Sequence, residues 1–186
     1  KQVAKGNWEI TDYYGYNPKT KEAYIQTTEK GSLNKVVSKL NINSGKTTLI
    51  SYPEGNNSAS FSKSFNYFIN TNSTAASPYK FVLKDANGKE IKELQNNNEL
   101  LSKLQKDNFV TKEFITIPNS VGDQLNAWII KPKNFDPNKK YPLFMFQYSG
   151  PGSQQVSNSW DGGNGIWFEM LAQKGYVVAC VDGRGT

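Results

Sequence analysis

Residues 141–155 contain the side chain of this sequence best placed to do chemistry. An apolar strand, residues 143–148, runs into a loop rich in glycine, proline and serine, and Tyr148 stands at the junction. A strand that is apolar throughout is typical of a parallel sheet covered on both faces. The loop after such a strand lies at the carboxyl edge of the sheet, where α/β proteins place their sites. Tyr148 is therefore the candidate site residue, and its phenol can donate a hydrogen bond while neutral.

The composition excludes several kinds of catalytic site within these residues. The sequence has no histidine and a single cysteine, Cys180. A Ser-His-Asp or Cys-His site needs a histidine, and zinc sites are built largely from histidine and cysteine, so neither fits here. One cysteine in the apolar stretch 176–181 is typical of a small core residue. We expect no metal and no cofactor.

The charge pattern argues against nucleic acid as a partner. The net charge is +6, but the 22 basic residues include one arginine, Arg184, and the lysines are scattered along the chain. Bidentate recognition of phosphate or guanine favours arginine, so solvated surface lysines are the better interpretation. No apolar run reaches membrane-spanning length, and no membrane span is predicted. Because the sequence starts at Lys1 without a signal-like segment, we expect either a removed targeting segment or an internal piece of a longer chain.

The first half of the sequence predicts two similar units of β-strands. Tyr24 and Tyr67 are separated by 43 residues, and so are the turn glycines Gly45 and Gly88. A four-strand unit that recurs at this period is typical of a β-propeller blade, and a sandwich of two similar meanders is the alternative. A propeller needs more blades to close, so this interpretation implies further sequence.

The second half has a different pattern, which predicts an α/β arrangement. A linking helix, a hairpin and a strand–helix–strand unit with a right-handed crossover follow one another. The second helix ends at Gly175 and carries Trp167, Met170 and Leu171 on one side. This order describes the start of an α/β-hydrolase fold, in which the loop after the third strand contributes to the oxyanion hole; Tyr148 falls at that position. The predicted elements are a helix at 99–106, strands at 113–118, 124–130 and 143–148, a helix at 166–174 and a strand at 176–181.

Two segments, residues 140–155 and 175–186, closely resemble the dipeptidyl peptidase IV family of prolyl-oligopeptidase-type serine exopeptidases, and most nearly its bacterial members. The motifs that carry the resemblance are Tyr-Ser-Gly-Pro at 148–151 and Asp-Gly-Arg-Gly at 182–185. The resemblance extends upstream through the repeated units and covers essentially the whole chain.

The resemblance implies a fold of β-propeller blades followed by the N-terminal part of an α/β-hydrolase domain. Residues 1–108 would be the last two blades plus the linking helix, and residues 109–186 the incomplete start of the catalytic domain. The implied activity is removal of Xaa-Pro or Xaa-Ala dipeptides from peptide N-termini, with the Tyr148 hydroxyl donating to the oxyanion. Peptides with penultimate proline or alanine are the implied partners, and the parent would be a homodimer in the periplasm, the cell envelope or the medium.

Several elements of the family's site have no counterpart in this sequence. The Gly-x-Ser-x-Gly nucleophile motif, the catalytic aspartate and histidine, and the paired glutamates for the substrate amine are not found in it. Only Tyr148 is carried over as catalytic, and Asp182 and Arg184 are assigned to loop structure. We expect the isolated chain to be inactive. The alternatives are a non-enzymatic β-rich binding module and a related acylaminoacyl-peptidase or esterase.

Overall fold

The computed structural model describes residues 2–148 and 150–186 of the chain. The chain divides into two compact units, one of residues 1–99 with 158–160 and the other of residues 100–157 with 161–186. The elements in chain order are β1 (Ile10–Asn17), β2 (Glu22–Thr27), β3 (Val36–Asn41), β4 (Thr47–Leu49), β5 (Asn56–Phe61), β6 (Tyr67–Thr74), β7 (Ser77–Asp85), β8 (Glu90–Gln95), α1 (Asn98–Lys106), β9 (Glu113–Pro118), β10 (Gln124–Ile130), β11 (Leu143–Met145), α2 (Gly163–Gln173) and β12 (Val177–Val181).

The first unit contains two antiparallel four-stranded meanders. Strands β1 to β4 form one sheet in sequence order, and β5 to β8 form the other. Gly45 and Gly88 occupy the equivalent last turns of the two sheets with φ values of 74° and 84°. Glycine adopts this left-handed conformation at little cost because it has no Cβ, whereas most other residues are strained in it. The need for positive φ explains why the turn glycines recur at the repeat spacing. The repeat predicted from the sequence is therefore a repeat of four-stranded, blade-like sheets.

The two sheets share one aromatic-rich core. Tyr24, Val37 and Ile50 from the first sheet and its outgoing chain are buried against Phe68 of the second. The ring of Phe65 stacks on Tyr24 at a centroid distance of 4.8 Å. Burying one such side chain is worth roughly 1.5–3 kcal/mol, so this cluster is a principal source of stability for the unit.

Residues 158–160 belong to this first unit because of a set of specific hydrogen bonds. The Asn158 side-chain oxygen accepts from Ala75 N at 2.9 Å, and its amide donates to Asn34 Oδ1 at 3.1 Å. The backbone N–H of Asn158 donates to Leu33 O at 2.8 Å, and that of Trp160 to Ser73 Oγ at 3.2 Å. These three loop residues are thereby held by both side-chain and backbone hydrogen bonds, without forming a strand.

The second unit is built on a mixed sheet in the order β11-β12-β10-β9. Strand β10 pairs antiparallel with β9 and β12, whereas β11 pairs parallel with β12. The predicted hairpin and the predicted parallel strand–helix–strand unit are both present. Helix α2 covers the sheet through Phe168, whose ring lies 5.3 Å from Trp128 and 5.1 Å from Phe146 between centroids.

Two details of this unit differ from the sequence-based expectation. Strand β11, the third strand of this unit in chain order, is shorter than the predicted strand 143–148. It is not buried on both faces, since Leu143 and Met145 are about half exposed. Leu143 and Met145 lie on the same face of this edge strand, and that face is left open, whereas Phe144 on the other face packs against Trp167 of α2 at 5.0 Å between ring centroids. Helix α2 turns Phe168 and Ala172 inward, and leaves Trp167 and Met170 substantially exposed.

The helices α1 and α2 have 9 and 11 residues. Neither is long and apolar enough to cross a membrane, and this finding covers only the part of the chain that the structure describes.

Candidate active site

Tyr148 lies just beyond the carboxyl end of β11. The sheet ladder continues one step past the strand, because Phe146 N donates to Ala179 O at 2.8 Å. The Tyr148 side chain then projects into solvent with 63% of its surface exposed. The next residue, Ser149, which completes the Tyr-Ser-Gly-Pro motif, lies outside the described residues. An exposed phenol at the carboxyl edge of parallel strands is placed where it can meet a ligand.

The tyrosine ring lies directly over a glycine. A Cβ added at Gly150 would come within 3.3 Å of Tyr148 Cε1 and of Ser153 Oγ. That distance is tighter than ordinary van der Waals contact, so a larger residue at position 150 would push the ring. Gly150 also begins a turn in which its carbonyl accepts from Ser153 N at 3.1 Å and from the Ser153 hydroxyl.

Asp182 anchors the far end of the loop that Tyr148 begins. The residue is only 8% exposed. Oδ1 accepts from Gln155 N at 3.0 Å and Oδ2 from Val156 N at 2.9 Å. Hydrogen bonds to a carboxylate are stronger than those between neutral groups, so this aspartate holds two consecutive backbone N–H groups firmly.

The two loops at this sheet edge make a further contact through their backbones. Gly152 N donates to Gly185 O at 3.4 Å, which is a long and weak bond. Arg184 projects away from this contact and pairs with Asp123 Oδ2 at 3.5 Å. Both side chains of that pair are substantially exposed, so we expect it to contribute less than about 1 kcal/mol.

The sheet beneath the loops is supported by a buried cation and a buried thiol. Lys112 pairs with Asp161, and its Nζ lies 4.9 Å from the centre of the Trp128 ring. Cys180 is fully buried in β12. Burial, with the negative charge of Asp182 adding to it, raises the pKa of the Cys180 thiol to about 11. A thiol with that pKa is protonated at neutral pH and is a packing group rather than a nucleophile.

No cluster of metal-binding side chains occurs among residues 2–148 and 150–186. The geometry offers the exposed phenol of Tyr148 on a loop that is hydrogen-bonded to the sheet on both sides of it. Such a group can stabilise negative charge that develops on a substrate. Cleavage of a substrate bond would also require a nucleophile, which this group does not supply.

Comparisons with known proteins place this geometry in a family. Residues 1–79 match the dipeptidyl peptidase IV (DPP IV) N-terminal region. The crystal structure of Porphyromonas gingivalis dipeptidyl peptidase 4 superimposes on all of this chain with a TM-score of 0.91 and 39% identity, and the match covers 26% of that protein. The chain belongs to the dipeptidyl peptidase IV family.

Relatives from fungi align over the same extent. Dipeptidyl peptidase 4 of Trichophyton equinum is 32% identical over 192 residues, which are 99% of this chain and 24% of that protein. Dipeptidyl peptidase 4 of Arthroderma otae is also 32% identical, over 189 residues. The chain thus spans about a quarter of the length of the dipeptidyl peptidase IV relatives that it matches. The recognised family and the fold of propeller blades followed by an α/β unit are confirmed.

The structure brings together residues that the sequence treated separately. Tyr148 and Asp182 follow two adjacent parallel strands, and they belong to loops that are hydrogen-bonded to each other. Sequence reasoning assigned Asp182 to loop structure without naming what it holds. The signal that could have found the contact is the rule that loops after neighbouring parallel strands meet at one sheet edge.

Proposed function

We propose that this chain forms part of a serine-type dipeptidyl peptidase that removes Xaa-Pro or Xaa-Ala dipeptides from the N-termini of peptides. In this proposal Tyr148 is the oxyanion-hole residue. The observation that carries it is the exposed Tyr148 phenol at the carboxyl edge of β11, on a glycine-rich loop, in a chain of the dipeptidyl peptidase IV family. This is where an acyl-transfer enzyme needs a fixed donor.

The chemistry asked of Tyr148 is a single strong hydrogen bond. When a serine oxygen attacks the scissile carbonyl carbon, its proton passes to the catalytic histidine, which like the serine would come from outside these residues, and the carbonyl π electrons move to the carbonyl oxygen, which becomes negative. The Tyr148 hydroxyl donates to that oxygen and keeps its proton, while a backbone N–H beside the serine supplies the second donor. The bond strengthens as negative charge develops, so it lowers the barrier more than it improves substrate binding.

The remaining parts of the proposal concern the whole protein. Residues 1–108 would be two propeller blades with the linking helix, and residues 109–186 the opening of the α/β-hydrolase domain. In the structure the first compact unit ends at Glu99 and the second begins at Leu100, apart from residues 158–160. The serine, aspartate and histidine would come from outside these residues, since the chain has no histidine. The parent would be a homodimer that acts on peptides in the periplasm, the cell envelope or the medium.

The test is the substitution Tyr148→Phe in the full-length protein, with hydrolysis of a chromogenic Gly-Pro amide as the assay. Loss of one oxyanion donor typically costs about 2.7–4 kcal/mol of barrier, so kcat should fall by about 10²–10³-fold while KM stays nearly unchanged. The matched control is Tyr176→Phe, the same change just before the amino end of β12, which should leave kcat unaltered. An unchanged kcat in Tyr148→Phe would remove this residue from the mechanism.

The isolated 186-residue chain provides a second test. It should not hydrolyse the Gly-Pro amide, and turnover that persists after contaminating peptidases have been removed would contradict the proposal. Hydrolysis of N-acylated peptides by the full-length protein, with no action on Gly-Pro amides, would instead favour the acylaminoacyl-peptidase alternative. The absence of both activities would favour a binding module.

A further inference from the structure

The loop that carries Tyr148 is attached to β12 and its extension on both sides of the tyrosine. Upstream, Phe146 N donates to Ala179 O at 2.8 Å. Downstream, Gln155 N and Val156 N donate to the carboxylate of Asp182 at 3.0 and 2.9 Å. The two acceptors are three residues apart in sequence, so both ends of the loop are fixed to one short piece of chain.

Asp182 is itself held in place. Its backbone N–H donates to Asn126 O at 2.9 Å, which continues the pairing of β12 with β10. Its side chain is nearly buried, and Val156 beside it is fully buried. The position of the carboxylate is therefore set by the central strands of the sheet, and the carboxylate in turn sets the position of the loop.

Between these attachment points the described bonds of the loop include one local turn and one contact with the neighbouring loop. The Gly150–Ser153 turn closes on itself, and Gly152 N reaches Gly185 O at the long distance of 3.4 Å. The ring of Tyr148 packs over Gly150, the first residue of that turn. The two bonds to Asp182 hold the loop downstream of the tyrosine firmly, because they are short and their acceptor is charged.

We infer that Asp182 is a positioning residue for Tyr148: it fixes the downstream end of the loop so that the phenol is held ready at the carboxyl edge of the sheet. The inference rests on the proposed function of Tyr148 and deepens it. Asp182 itself touches no reacting atom. A catalytic donor misplaced by about 1 Å can lose up to about 10²-fold in rate, which gives the size of effect to look for.

The experiment is a double-mutant cycle in the full-length protein with Asp182→Asn and Tyr148→Phe. An amide at position 182 keeps one acceptor oxygen but turns an NH₂ group toward the second backbone N–H, so one of the two bonds is lost. Asp182→Asn alone should lower kcat about 10–100-fold, with KM changed less than about threefold. In the Tyr148→Phe background the same substitution should lower kcat by less than about threefold, because the donor that it positions is already absent.

A merely structural role for Asp182 predicts a different pattern. Asp182→Asn would then lower kcat by the same factor in both backgrounds, and that result would overturn the inference while leaving the role of Tyr148 intact. If Tyr148→Phe alone has no effect, the proposed function fails, and the inference fails with it. An Asp182→Asn variant with unchanged kcat overturns the inference alone.

Two controls keep the test decisive. Asp136→Asn is the matched substitution, because the Asp136 carboxylate also accepts a backbone N–H, that of Asn138 at 3.0 Å, in the turn between β10 and β11. It should leave kcat unaltered in both backgrounds. If Asp182→Asn does not yield folded protein, the same cycle is run with Asp182→Glu, which keeps the charge and the acceptors but displaces the loop by one methylene group.

Discussion

The ion pair between Lys112 and Asp161 allows a prediction that separates the cost of a buried charge from the value of a salt bridge. The Lys112 side chain is 6% exposed and that of Asp161 is 26% exposed. The lysine ammonium also lies over the Trp128 ring, which is 1% exposed. Removing the charge of Asp161 leaves a buried cation, whereas removing Lys112 leaves a carboxylate that water can reach.

We expect Asp161→Asn to destabilise the protein by about 2 kcal/mol. Breaking a fully buried pair costs about 3–5 kcal/mol, and the exposure of Asp161 and the acceptor oxygen kept by asparagine both reduce that figure. The change corresponds to a fall of about 4–8 °C in Tm for a chain of this size. By contrast, Lys112→Met should stay within about 1 kcal/mol of the parent, because methionine removes the buried charge and packs on the Trp128 ring.

The assay is urea unfolding followed by tryptophan fluorescence, with the double variant included. Lys112→Met combined with Asp161→Asn should match Lys112→Met alone, since the penalty of Asp161→Asn arises from the unpaired lysine. The reasoning is wrong if Lys112→Met costs as much as Asp161→Asn, or if the two costs simply add. Equal costs for the two single variants would mean that the attraction between the charges dominates, whereas additive costs would mean that the two side chains are not coupled at all.

Two further predictions concern the first unit. Burial raises the pKa of Tyr14 to about 12, so stability should be fully present below pH 10 and fall between pH 10 and 12, as the unfolded tyrosine loses its proton before the folded one does. Tyr14→Phe should remove that part of the fall in a series of urea titrations at increasing pH, and an unaltered pH profile would contradict the assignment. Gly88→Ala should cost more than the roughly 1 kcal/mol of a strained backbone, because its Cβ would lie 2.7 Å from Ile50 O. The control Gly31→Ala, at φ 95° with no atom within 4 Å, should cost only the backbone strain, and equal Tm losses for the two would refute the steric argument.

The repeated unit was accessible from sequence because turn chemistry is local. Gly45 and Gly88 sit in tight turns that require positive φ, and a requirement of that kind appears in the sequence as a glycine at a fixed spacing. The parallel pairing of β11 with β12 was accessible for a similar reason, since two apolar segments joined by a helix have few alternatives.

Burial and side-chain contacts were harder to predict from the sequence. The apolar segment 143–148 predicted a strand covered on both faces, yet β11 lies at the edge with Leu143 and Met145 exposed. Apolar composition is a property of the segment, whereas coverage depends on which other elements lie next to it. The same limit applies to α2, where the inward face is set by contact of Phe168 with Trp128 rather than by the periodicity of the helix.

The sequence by itself determined the family, the order of the strands and helices, and Tyr148 as the residue to examine. It did so because motifs, turn glycines and apolar periodicity act over short distances along the chain. The tertiary structure alone decided that Asp182 holds Gln155 and Val156, and that Lys112 is buried against Trp128 and Asp161. Those partners are between 16 and 49 residues apart in sequence, and no local pattern encodes such a contact.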